Sequence, residues 1–90
     1  NPSHYGANLL LGKFGIVSGQ YEKAIARLEK VVSLQSEKIE GYFLLTDAYA
    51  GNKNFDKAIE TLSKAKKISK DKELIAQIDA AIAQLKQKTN

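Results

Sequence analysis

Cysteine, methionine and tryptophan are absent from this chain of 90 residues, and proline, histidine and arginine occur once each. Without cysteine there can be no disulfide and no thiolate metal site, so an apolar core must hold the fold unaided. That absence is tolerated in reducing and oxidising surroundings alike and assigns no compartment. With His4 as the only histidine and the carboxylates scattered, no nucleophile, base and orienting group converge, and no catalytic residue, cofactor, metal or small-molecule substrate is expected. No glycine-rich phosphate loop follows a strand-like run, and Gly12-Lys13 is a chance dipeptide. Thirteen of the fourteen cations are lysine, giving a net charge of +4. Nucleic-acid readers favour the bidentate guanidinium, so a lysine-rich surface reads as solvated helix faces, and nucleic acid or membrane is the weakest class of partner. No run approaches the roughly 20 apolar residues of a membrane span, and the start does not resemble a signal peptide.

What the chain does have is a repeat. Tyr21-Glu-Lys-Ala-Ile-Ala-Arg-Leu28 returns 34 residues later as Phe55-Asp-Lys-Ala-Ile-Glu-Thr-Leu62, and Leu10/Leu44, Leu11/Leu45, Lys30/Lys64 and Lys38/Lys72 keep the same offset. Such a period marks a solenoid, in which one supersecondary unit stacks on the next. Apolar residues make up 43% of the chain, enough for a packed core rather than disorder. Pro2, Ser36 and Lys70 fall at the unit junctions. Asn1-Pro2 therefore reads as the tail of a preceding unit, and the chain is expected to be a fragment of a longer array.

Periodicity predicts five helices. The first, residues 4–17, places Ala7, Leu10, Leu11, Phe14 and Val17 on one buried face, with Ser3 as a candidate N-cap and Gly12 and Gly15 where another backbone comes close. Gly19 suits the left-handed end of that helix. The second, residues 21–34, buries Tyr21, Ala24, Ile25, Leu28, Val31 and Val32, and Ser36 is a candidate cap for the third, residues 37–50. The third buries Gly41, Tyr42, Leu44, Leu45, Ala48 and Tyr49; after a turn at 51–54, capped by Asn54, the fourth, residues 55–68, turns Phe55, Ala58, Ile59, Leu62, Ala65 and Ile68 inward. The last, residues 71–87, carries a stripe of Leu74, Ile75, Ile78, Ile82 and Leu85. It has Asp79 where the earlier units have Leu11 and Leu45, so Asp79 is expected in solvent and the helix is expected to act as a polar cap.

These residues resemble the tetratricopeptide repeat family, whose pattern is W-x2-L-G-x2-Y, A-x3-F and P. The first unit shows Leu11-Gly12 and Ala24-x3-Leu28, with Asn8 at the Trp position and Gly15 at the Tyr position. The second shows Tyr42-x2-Leu45-Thr46-x2-Tyr49 and Ala58-x3-Leu62, followed by Ala65. The resemblance implies an all-α fold: antiparallel helix–turn–helix repeats stacked as a right-handed α-solenoid. It divides one domain, residues 1–90, into repeat 1 (5–38), repeat 2 (39–72) and a capping helix (73–88).

The resemblance also implies a protein–protein interaction module that holds a peptide or partner helix in a concave groove. Carried over position by position, the groove residues are Leu9, Lys13, Ile16, Glu40, Phe43, Asp47, Ala50 and Gln77, with Gly6, Leu74, Ala81 and Gln84 beside them. Leu9 and Phe43 are expected to be apolar anchors whose exposure folding does not require. The carboxylate clamp of one subset of the family is not expected, because Leu9 and Lys13 stand where it would want Lys and Asn, and Asp47 would repel an anion. Two alternatives stay open. One is self-association or packing on upstream repeats, including a homodimer through an N-terminal edge where Ala7, Leu10 and Phe14 lose cover. The other is an anionic polymer or membrane surface bound by the lysines between Lys57 and Lys72.

Overall fold

Five helices follow one another: α1 (Pro2–Val17), α2 (Tyr21–Leu34), α3 (Ile39–Gly51), α4 (Phe55–Ile68) and α5 (Lys72–Lys88). The computed structural model describes residues 2–89, with side chains from His4 onward, and no strand occurs among the described residues. Each helix packs on the next, and α1 also meets α3. The result is an α-solenoid of two helical hairpins closed by α5, a slab of 35 × 29 × 16 Å. Its thin dimension is that of two helix layers, since axes ~10 Å apart with Cα cylinders of radius ~2.3 Å span roughly 15 Å.

The outer helices α2 and α4 carry their apolar side chains at i, i+4 and i+7, which puts them on one face. Ala24, Leu28 and Val31 of α2 join Leu45, Ala48 and Tyr49 of α3 and Ala58 of α4 in one core cluster. Tyr42, Leu62, Ala65 and Ile78 form a second, over which α5 lays Leu74, Ala81, Ile82 and Leu85. Of the expected inward stripes, Tyr21, Ile25, Val32, Leu44, Phe55, Ile59, Ile68, Leu74, Ile75, Ile82 and Leu85 are half-buried rather than buried.

The first helix is turned the other way from expectation. Leu10 is 68% exposed, Leu11 44%, Phe14 64% and Val17 86%, and Ala7 is exposed with them. The face that packs is instead Asn8, Gly12 and Gly15, which are buried, flanked by the half-buried Tyr5, Leu9 and Ile16. The reason lies in the repeat. One period later, Gly41, Leu45 and Ala48 are buried because α2 lies over them, with Val31 and Val32 against Gly41. Among the described residues no helix occupies that place over α1.

Gly15 leaves no hole. A Cβ built there would stand 2.9 Å from Ala24 Cβ and 3.2 Å from the Ala24 backbone, so its missing side chain is what lets α1 and α2 close on each other. Gly19 takes φ +79° and ends α1 in the left-handed conformation.

Helix starts differ in detail from expectation. α1 begins at Pro2, ahead of Ser3; Asn1 and the Ser3 side chain, on which the junction and cap expectations rest, lie outside the described residues. His4 is exposed on this helix. α3 starts at Ile39 with Lys38 preceding it and no side-chain cap. Ser36 instead offers its carbonyl to the Tyr42 hydroxyl at 2.8 Å. Asn54 caps α4, accepting from Lys57 N at 3.3 Å. Asp71 caps α5, accepting from Glu73 N at 3.0 Å.

Candidate functional site

α1 touches α3, whereas no pair of Cα atoms from α3 and α5 comes within 8 Å. A groove of about 450 Å³ opens in that gap. One wall is the α3 stripe of Phe43, Asp47 and Ala50, and the other is Leu74, Gln77, Ala81, Gln84 and Lys88 on α5, each set recurring at three- and four-residue steps. Buried Thr46, Leu62 and Ile78 form the floor together with the half-buried Leu85. The volume lies within the few hundred to roughly 1,000 Å³ usual for sites that enclose a ligand.

The groove brings together Phe43, Asp47, Ala50 and Gln77, along with Leu74, Ala81 and Gln84. Lys13 and Glu40 are not in the groove; they pair with each other at 3.5 Å, both about half exposed. Leu9 and Ile16 are half-buried against the first core cluster, and Phe43 packs on the second. Leu9 and Phe43 therefore do contribute to folding, contrary to the expectation that their positions are free of it. Gly6 is exposed and lines nothing here.

Sequence reasoning missed Thr46, Leu62, Ile78, Leu85 and Lys88 as lining residues. Lys88 follows Gln84 by four residues and was open to the same helical count. Leu62 was not, because it reaches the groove floor from α4.

The electrostatics of the site are spare. Asp47 is the one carboxylate among the lining residues and Lys88 the one cation. Partial desolvation raises the Asp47 carboxyl above its ordinary range. Lys88 holds its Nζ 5.7 Å from the centre of the Phe55 ring, a cation–π distance. Outside the groove, Asp79 is exposed and pairs with Lys66 at 2.8 Å, as the polar residue at a leucine position implied. A roomier hollow of about 630 Å³ beside α1 and α2 is lined by His4, Asn8, Arg27, Glu29 and Lys30 among others. Arg27 already donates to Asn8 Oδ1 there at 3.3 Å, and the lining is mostly charged or polar.

Among the described residues, no group of three His, Asp or Glu side chains could hold a metal, and no helix is long and apolar enough to cross a membrane. A model of the tetratricopeptide repeat family matches residues 16–88. A search of curated proteins finds no match to the chain.

Proposed function

Because the chain belongs to the tetratricopeptide repeat family, whose repeats are generally protein–protein interaction modules and typically not enzymes, we propose that it binds a peptide or partner helix in the groove between α3 and α5. The observation that carries this reading is the gap itself, where two facing helical stripes leave apolar side chains accessible on both walls. Phe43 is the natural anchor, since aromatic side chains in concave sites recur among interface hot spots.

A random peptide library selected against the intact chain tests the reading. Binders should weaken at least tenfold on Phe43→Ala, about 1.4 kcal/mol. Because Phe43 also packs on the core, the exposed Gln77→Arg is the companion variant; it crowds the groove without removing core contacts. Binders untouched by Gln77→Arg but lost with Lys64 and Lys67 would move the site to the basic outer face.

A second reading is favoured by the uncovered face of α1. Leu10, Phe14 and Val17 form an apolar strip, and α1 carries no carboxylate and, besides His4, Lys13 as its one basic side chain, so two copies could meet there with little like-charge repulsion. Exposed apolar patches of this kind mark interaction surfaces. Sedimentation should then show a dimer that Phe14→Glu dissociates, and a strict monomer at millimolar concentration would exclude the pairing.

A further inference from the structure

The groove is apolar except for a few positions, and one of them has no counter-charge. Of the carboxylates among the described residues, only Glu40, Glu60 and Asp79 form ion pairs; Asp47, exposed on the α3 wall, is the one carboxylate of the groove lining and forms none. Its surroundings disfavour the anion without compensating it, as the raised carboxyl shows. A partly desolvated carboxylate lowers stability unless a cation or donors meet it. The side chain is short, so its oxygens stay close to the α3 backbone, one turn after Phe43 and about one turn before Ala50. The only cation in the lining does not serve it. Lys88 stands in the last turn of α5 on a long side chain, already resting against the Phe55 ring. Lysines dominate the rest of the surface and the net charge is +4, so a cationic ligand finds little general attraction and is placed where a carboxylate stands unmatched.

We propose that the segment received by the α3–α5 groove presents a lysine or arginine to Asp47, with an apolar side chain on Phe43 and Leu74. Four residues of helix separate Phe43 from Asp47, so the cation and its apolar neighbour lie roughly 6 Å apart along the groove. The charge pair sets the register of the segment, while the apolar contacts supply most of the affinity. This inference rests on the groove reading above and adds to it the chemistry of the occupant.

The experiment is a paired selection from a random peptide library, once against the intact wild-type chain and once against Asp47→Lys. Wild type should enrich peptides with Lys or Arg beside an apolar residue, and Asp47→Lys should exchange that cation for Asp or Glu. Wild-type binders should weaken about tenfold on Asp47→Asn, the loss of a charge-assisted contact of roughly 1.4 kcal/mol, and should be unaffected by Lys13→Gln. Binders that depend on Gln77 but carry no cation, or that ignore Asp47→Asn, overturn the pairing and leave the groove reading standing. Binders that carry a carboxylate and depend on Lys88 overturn it by reversing the polarity. Failure to select any peptide, or binders indifferent to Gln77→Arg, overturns both.

Discussion

The Tyr49 hydroxyl donates to Glu29 Oε2 at 2.5 Å, tying α3 to the outer helix of the preceding hairpin. The ring is buried at 8% exposure while Glu29 stands in solvent, so the bond joins a core side chain to a surface charge across the junction between the two repeats. Tyr49→Phe keeps the ring and loses the bond. It should cost about 1.5–3 kcal/mol, the range for hydrogen bonds to charged groups, read as a lower urea midpoint with an unchanged slope.

The same contact gives a pH dependence with a definite sign. Burial first, then the hydrogen bond and the charges of Glu29 and Glu60, push the Tyr49 phenol up from 10.0 to about 12. The unfolded phenol loses its proton first, so this contribution is fully present below the unfolded value and is lost as pH rises through the window to about 12. Wild type should therefore lose more stability across that window than Tyr49→Phe, with parallel urea titrations as the check. Equal slopes would show that the hydroxyl is not held.

Gly15→Ala sets two effects of opposite sign against each other. Alanine gains about 1 kcal/mol of helix propensity over glycine. The new methyl would stand 2.9 Å from Ala24 Cβ and 3.2 Å from its backbone, and a backbone cannot swing aside as a side-chain tip can. Overpacking of this kind costs typically 1–3 kcal/mol. The substitution should lower the melting temperature, whereas Gly6→Ala, where a Cβ meets nothing within 4 Å, should not.

Removing the chain after Asp71 should expose Tyr42, Leu62 and Ala65, which Ile78 and its neighbours on α5 cover. Burial of even two large apolar side chains accounts for roughly 3–6 kcal/mol. The shortened chain should melt well below the intact one and bind a dye for apolar surface. Equal stability of the two would mean that α5 is not part of the core.

Asp47→Asn should stabilise the chain at neutral pH. The folded carboxyl holds its proton more tightly than the unfolded one, whose ordinary value is 3.8. Its stabilising contribution is thus present in acid and lost as pH rises through the folded value. The gain on substitution should be less than about 1 kcal/mol, because water still screens the site, and should vanish in acid. Thermal melts of both chains on either side of that pH give the answer.

Where a helix is amphipathic, the sequence was legible: α2 and α4 lie where the repeat put them, with Ala24, Leu28, Ala58 and Leu62 inward. α1 was misread because periodicity registers which side is apolar and not whether anything covers it. Its true packing side, Asn8, Gly12 and Gly15, carries almost no hydrophobic signal. Only the spacing of the two glycines hinted at the close approach. In the groove, Phe43, Asp47, Ala50 and Gln77 followed from position within the repeat. Leu62 did not, since the depth of a groove is set by a helix behind it, and the half-burial of Leu9 and Phe43 depends on tertiary neighbours that no local pattern encodes.

The Lys66–Asp79 pair at 2.8 Å makes the outer face of α5 unlike that of α1. Around α5 the outward positions are Ala76, Asp79, Ala80, Ala83 and Gln87, a small and hydrated face, while α1 presents leucine, phenylalanine and valine. Head-to-tail joining would press Leu10 and Phe14 against a satisfied ion pair, and both sides would lose water contacts for little return. Joining through like faces is self-complementary and closes after two copies, whereas a head-to-tail contact that does not close grows into a filament. The charge at Asp79 thus makes the outer face of α5 a poor match for the apolar strip of α1.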